Sequence, residues 1–250
     1  MSNTPAAPGP DDRPPPARYL PIPAVKPRIT FVILTINLII FALQSVTGSE
    51  VWFFFGAKIN EFIVAGEWWR LITPMFLHAG LAHVAFNSYA LYSFGPQVEA
   101  VFGYRRFFFI YLLSGVSGAV FSFAFSARPS VGASGAIFGL IGALLIYLFR
   151  HRIAFGEMGR RRLVEILALA GINLVIGLSP GIDNWGHIGG LFGGAVLTWL
   201  IGPIFAVDAD TGGNPFVADK NPFSLQQWVA VFAVAFALGA ATFVIISLQK

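Results

Sequence analysis

Cysteine is absent from this 250-residue chain, so disulfides and thiolate chemistry are excluded. Charge is scarce as well: Asp, Glu, Lys and Arg make up 11% of the residues, less than half of the roughly 25% usual in a soluble domain. No His-Glu-x-x-His occurs, and no carboxylate lies inside the apolar runs near the polar residues singled out below. Those absences argue against an aspartyl dyad, a proton relay and a zinc-activated water. His78, His83 and His187 are the conceivable metal ligands, but with no acidic base beside them neither a metal nor another cofactor is expected. The net charge of +4 and pI near 9.6 come from basic residues scattered over short loops, without the basic, aromatic-interleaved surface that a nucleic acid requires. No internal repeat is evident, which speaks against a transporter built from inverted halves. Residues 1–28 hold nine prolines and no apolar stretch followed by a cleavage site, so they read as a disordered cytoplasmic tail and not as a signal peptide.

What is abundant is apolar surface: 56% of the residues are hydrophobic and the mean hydropathy is +0.72. Cut at its charged residues, the chain leaves uncharged windows at 29–49, 71–98, 107–127, 129–149, 166–182, 184–207 and 221–249. Each is close to or above the roughly 20 residues that an α-helix needs to cross about 30 Å of hydrocarbon. The expected fold class is therefore an all-α polytopic membrane protein. Its seven spans are placed at about 29–47, 79–98, 107–126, 134–149, 163–178, 185–205 and 227–247. Residues 48–72 form a loop rich in aromatics yet carrying Lys58, Glu61, Glu67 and Arg70, a composition suited to the membrane interface. The polar stretch 206–226 reads as a cytoplasmic linker, which separates a six-helix core over 29–205 from an appended helix within 227–250. With the N-terminus inside, twelve of the sixteen Lys and Arg residues fall on the cytoplasmic side, and the cluster Arg150, Arg152 and Arg160 to Arg162 decides the orientation. The excess of arginine over lysine and the lack of targeting signals lean toward a bacterial plasma membrane.

Four polar residues stand out within the apolar windows: His83, Asn87, Ser134 and His187. Ser134 sits in Gly132-Ala133-Ser134-Gly135, and small residues there serve close helix packing as readily as chemistry. Its place at a helix start, after a loop with Pro129, offers free backbone N–H groups that could hold an anion. The serine elbow of soluble hydrolases needs a preceding strand, for which this segment leaves no room. His187 lies among Gly186, Gly190 and Gly194, which form a packing face and would also bring its helix close enough for a serine to reach the imidazole. His83 and Asn87, at i and i+4, share one helix face and could be a packing pair or two hydrogen-bond donors to a developing negative charge. On the expected topology all four residues belong to spans running the same way and fall at similar depth in the outer half of the bilayer, roughly 5–12 Å in. Nothing in the sequence tells what would orient His187.

Together these residues resemble a known family, the rhomboid intramembrane serine proteases. The resemblance covers roughly residues 65–195 and rests on EWWR, FLHAGLAHVAFN, GPQVEAVFGYRRFFFIYLLSG, GASGAIFG and DNWGHIGGLFGG, in this order on successive spans. It implies a six-helix bundle around a short fourth helix, with Ser134 as the nucleophile at the floor of a water-filled cavity open to the outside. By the same resemblance His187 would be the general base and then acid, and His83 and Asn87 would join the Ser134 backbone N–H in an oxyanion hole. Trp69 and Arg70 match the pair with which the family anchors its interfacial loop, and Phe138 matches an aromatic that packs on the imidazole. Gly186 stands where the family commonly has alanine. The seventh helix resembles a six-plus-one arrangement found in part of the family.

The implied substrates are single-span or polytopic membrane proteins within the lipid bilayer, cut in or near a transmembrane segment. Since a helix hides its scissile carbonyls, small or helix-breaking residues near the outer end of the substrate would favour cleavage. The alternative function is a non-catalytic relative that binds or escorts transmembrane clients.

Overall fold

The computed structural model of the chain describes residues 20–249. Helix α1 (Ile29–Thr47) leads into two short helices, α2 (Ser49–Gly56) and α3 (Asn60–Val64), and two 3-10 turns at Trp68–Leu71 and Thr73–Phe76. Then follow α4 (Leu81–Phe102), α5 (Tyr104–Phe125), α6 (Ser134–Arg150), α7 (Arg152–Ile176) and α8 (Asn184–Ile201). A hairpin of β1 (Phe205–Ala209) and β2 (Pro215–Asp219) precedes α9 (Leu225–Gln249). Seven long helices, six in a bundle and one appended, make this the all-α membrane architecture that the sequence predicts. Among the described residues, α1, α5 and α9 are each long and apolar enough to cross a membrane on length and composition alone.

Helix α6 is the axis of the bundle. It packs against α4, α5, α7 and α8, and every residue from Ala136 to Leu144 is buried. With 17 residues it covers only about 25 Å at 1.5 Å per residue. A helix enclosed by other helices need not match the lipid thickness.

The pairing of α6 with α8 is built on glycine. A Cβ on Gly190 would overlap the Gly135 carbonyl, and one on Gly194 would overlap the Gly139 carbonyl. The two backbones therefore touch directly. In lipid, helices gain little from hydrophobic burial against each other, so this close packing supplies the attraction. Beside it, the Ser117 hydroxyl on α5 donates to the Gly189 carbonyl at 2.8 Å.

Two buried charged residues tie the periphery to this core. The fully buried Glu99, near the end of α4, accepts from the backbone N–H groups of Arg28 and Ile29 (2.7 Å each) and Thr30 (2.8 Å), and from the Thr30 hydroxyl (2.6 Å). Its carboxylate thus caps the N-terminus of α1, where the free N–H groups and the helix dipole favour negative charge. Lys58, fully buried between α2 and α3, donates from Nζ to Asn60 Oδ1 (3.0 Å) and to the carbonyls of Ser126 and Arg128 (2.8 Å each). Its backbone also pairs with Ser130 in an isolated antiparallel bridge, so the stretch before α6 is laced to the loop that follows α1. That loop is itself anchored by Arg70, which donates to Glu67 Oε2 (2.6 Å), the Ala57 carbonyl (2.9 Å) and the Phe54 carbonyl (2.6 Å), and by Trp69 Nε1 on the Phe55 carbonyl (3.1 Å).

The structure departs from the sequence-based expectations in four places. The part of the expected tail at 1–19 lies outside the described residues, as does Lys250; within the rest, Val25 N–H donates to the Ala100 carbonyl and the Tyr104 hydroxyl to the Lys26 carbonyl, so order begins before residue 29. The arginine-rich stretch expected as a loop before the fifth span is helical in α7, with a break at Gly156 (φ 54°, ψ −139°). Ion pairs Arg161–Glu157 (2.6 Å) and Arg162–Glu165 (3.1 Å), spaced four and three residues apart, support the helix there. The sixth span ends at Ile201 and not at 205, because Phe205 begins a strand. Finally, the linker 206–226 contains a hairpin, whose turn is closed by Asp210 Oδ1 accepting from the N–H groups of Gly212 and Asn214, both at 2.8 Å. Short strands flanking a polar turn have too little periodicity to announce themselves in the sequence.

Gly190→Ala is expected to lower stability by about 1–3 kcal/mol, the usual cost of overpacking, while Gly171→Ala on α7, where a Cβ meets open space, is neutral or slightly stabilising. Unfolding in mixed micelles measures both. Lys58 supplies a second test: burial pulls its ammonium down from 10.5 to about 8, against the opposing pull of Asp183 and Glu61. Between these values the unfolded chain binds more protons than the folded one, so stability should rise as pH goes from about 8 to 10.5. Unfolding free energies across that range should show the rise in the wild type and lose it in Lys58→Met.

Candidate active site

Ser134 opens α6 and His187 lies in the first turn of α8, on the two helices that glycine brings together. Their side chains meet: Ser134 Oγ is 2.9 Å from His187 Nε2. The serine hydroxyl donates across this contact when the imidazole carries its proton on Nδ1. The imidazole is 9% exposed and stacks on Phe138, centroids 4.3 Å apart and planes 10° from parallel. One turn along α6 from Ser134, Phe138 is thus the flat wall that sets the ring plane. The His187 backbone N–H donates to the Asp183 carbonyl at 3.2 Å, and the Asp183 carboxylate caps α8 by accepting from Gly186 N–H at 3.1 Å.

His83 and Asn87, on α4, converge on the loop just before the serine. Gly132 there has φ +128°, a conformation that side chains rarely adopt, and its N–H donates to the Pro74 carbonyl at 2.8 Å. A Cβ at this glycine would lie 2.7 Å from His83 Nε2 and 3.7 Å from Asn87 Nδ2. Both donors therefore look onto the backbone two residues ahead of Ser134. One N–H of the Asn87 amide is occupied by the His83 carbonyl at 3.1 Å, which leaves the other for a ligand. Ala79 N–H donates to His83 Nδ1 at 3.4 Å, which puts the His83 proton on Nε2, the nitrogen that faces Gly132. The first N–H groups of α6, Ser134 among them, have no partner within the helix.

A cavity of about 40 Å³ adjoins Ser134, lined by Lys58, Pro74, Met75, Gly118, Asp183 and Gly186 among others. That is room for two or three waters, at the roughly 10–15 Å³ each requires. A larger apolar crevice of about 220 Å³, between α9, α5 and the loop residues Trp68 to Ile72, lies apart from these residues. Among the described residues no group of three or more His, Cys, Asp or Glu is arranged to hold a metal ion.

All four residues singled out in the sequence thus gather at the start of α6. Sequence reasoning missed Asp183 and Lys58, both of which line the cavity beside Ser134. An Asp immediately before a glycine-rich helix start was a legible cap signal, and a lone lysine in an aromatic loop was a legible oddity. Neither reveals from spacing alone that it would lie next to Ser134.

Comparison with known proteins places the chain in a family. The family model described as the rhomboid domain matches residues 65–204. Rhomboid protease GluP of Bacillus subtilis is 45% identical over 174 residues, covering 68% of this chain and 34% of GluP. RHOMBOID-like protein 9, chloroplastic, of Arabidopsis thaliana is 42% identical over 161 residues, covering 64% of this chain and 37% of that protein. Rhomboid protease AarA of Providencia stuartii is 30% identical over 199 residues, covering 68% of this chain and 71% of AarA. The chain thus spans little more than a third of the length of the first two relatives. The matched region runs from the loop between α3 and α4 through α8 and holds every residue described above from Trp68 to His187, and the chain belongs to the rhomboid family.

Proposed function

We propose that this chain is an intramembrane serine endopeptidase that hydrolyses peptide bonds in or near the transmembrane segments of membrane proteins. The reading rests above all on the 2.9 Å contact between Ser134 Oγ and His187 Nε2, made beside a cavity with room for water. Relatives named as rhomboid proteases support it.

In this reading His187 Nε2 takes the Ser134 proton as Oγ attacks the scissile carbonyl carbon. Charge then develops on the carbonyl oxygen, which moves toward the Ser134 N–H, His83 Nε2–H and Asn87 Nδ2–H. Collapse of the tetrahedral adduct breaks the C–N bond, and His187 returns its proton to the leaving amine. A water from the cavity then attacks the acyl-enzyme, gives its proton to His187, and leaves the new carboxyl group as Ser134 is restored. Phe138 takes the place of an orienting carboxylate by holding the imidazole plane. Substrates are single-span or polytopic membrane proteins that reach the site from the bilayer and unwind locally, so small residues near the cut are favoured. The basic-residue distribution supports a cell-membrane location with the N-terminus cytoplasmic and the site toward the outer face.

Ser134→Ala and His187→Ala should each lower cleavage of a single-span substrate in liposomes by on the order of 10³-fold or more while the protein stays folded. Full activity in either variant would remove the dyad. For Asn87→Ala, turnover is expected to fall by about 10²–10³-fold with unfolding unchanged, the usual worth of one oxyanion donor. A change below twofold would leave Asn87 with packing alone.

A further inference from the structure

Gln44 lies on α1, 3% exposed, far along the chain from the residues of the site. Its side-chain amide spends both of its ends on one residue: the His78 N–H donates to Oε1 at 3.2 Å, and Nε2 donates to the His78 carbonyl at 3.3 Å. The second bond matters most. The His78 carbonyl and the Ala79 N–H belong to the same planar peptide unit, so whatever fixes one fixes the direction of the other. That Ala79 N–H is the group that donates to His83 Nδ1 at 3.4 Å. The His78 ring meets the His83 ring edge to face, centroids 5.3 Å apart, and closes the remaining side. Burial and the neighbouring His83 push the His78 imidazole down to about 4.

We propose that Gln44 is a positioning residue for His83: acting through the single peptide unit between His78 and Ala79, it sets the rotation and tautomer that aim His83 Nε2–H at the developing oxyanion beside Gly132. The proposal rests on the reading of His83 as an oxyanion donor. A helix at the edge of the bundle thereby reaches the reacting atoms through four hydrogen-bonded groups, with no side chain of its own in the site. A plain anchor between α1 and the loop would hold the same two bonds but would leave the chemistry of His83 untouched.

The test compares Gln44→Met, which keeps the volume and removes both bonds, with Gln44→Glu, which keeps the acceptor for the His78 N–H and, when protonated, a donor for its carbonyl. Turnover is expressed per active site titrated to completion, so that partial unfolding does not count. The Met variant is expected to lower kcat roughly tenfold, part of the 10²–10³ that one oxyanion donor is worth, with KM changed less than about twofold and with recovery in the Glu variant. The chain has four histidines, so 15N-histidine labelling resolves the His83 ring, whose Nδ1 should carry the shift of a hydrogen-bonded acceptor in the wild type and lose it in Gln44→Met. Unchanged kcat, or a loss of kcat with unchanged His83 ring signals, overturns the proposal. If the Met variant does not fold, the Glu variant titrated from its protonated to its ionised form provides the same comparison of kcat and ring signals. Activity surviving in Ser134→Ala would instead sink the protease reading, and the ring signals would still report on Gln44.

Discussion

Everything in the site depends on how closely α6 and α8 approach. Helices packed through ordinary side chains lie about 8–10 Å apart, which is too far for the short arm of a serine on one to meet a histidine on the other at the angle required. Gly190 and Gly194 remove the spacers, and their backbone rests on the carbonyls of Gly135 and Gly139. The resulting contact serves twice: it is the attraction that holds two helices together where water gives no help, and it sets the 2.9 Å between Ser134 and His187. Helix packing and the Ser134–His187 contact share one interface, so a methyl group there disturbs both.

The start of α6 is then held from outside the helix pair. Lys58 bonds the stretch at Ser126 and Arg128, Pro74 accepts from Gly132, and the bridge between Lys58 and Ser130 completes the lacing. From the opposite flank, His83 and Asn87 look onto Gly132. Both imidazoles are held by ring packing: Phe138 stacks on His187, and the ring of His78 meets His83 edge to face. A carboxylate buried at that depth would carry a heavy desolvation cost, which an uncharged aromatic ring such as Phe138 does not.

The sequence made the helices and the four polar residues legible for a simple reason. In a membrane protein charge marks the ends of spans and polarity within them is rare, so Ser134, His187, His83 and Asn87 stand out against an apolar background. The glycines at 135, 139, 190 and 194 were visible as a packing face too. What stayed hidden depends on contacts between distant segments. Lys58 read as one more loop charge until the fold buried it completely. Asp183 fell one residue outside the apolar window that starts at 184, and its nearness to Ser134 comes from helix pairing. Gln44 carried no signal at all, since an amide near the end of a span usually just faces the headgroups. The hairpin at 205–219 and the helical start of α7 were missed because short polar elements lack the periodicity on which the long spans were recognised.

The most direct measurement is covalent labelling of the detergent-solubilised protein with a fluorophosphonate, followed by peptide mass spectrometry. A single adduct on Ser134, lost when His187 is replaced by alanine, is the expected result. Absence of any adduct on the folded protein, or an adduct that persists without His187, would contradict a serine activated by the imidazole that stands 2.9 Å away.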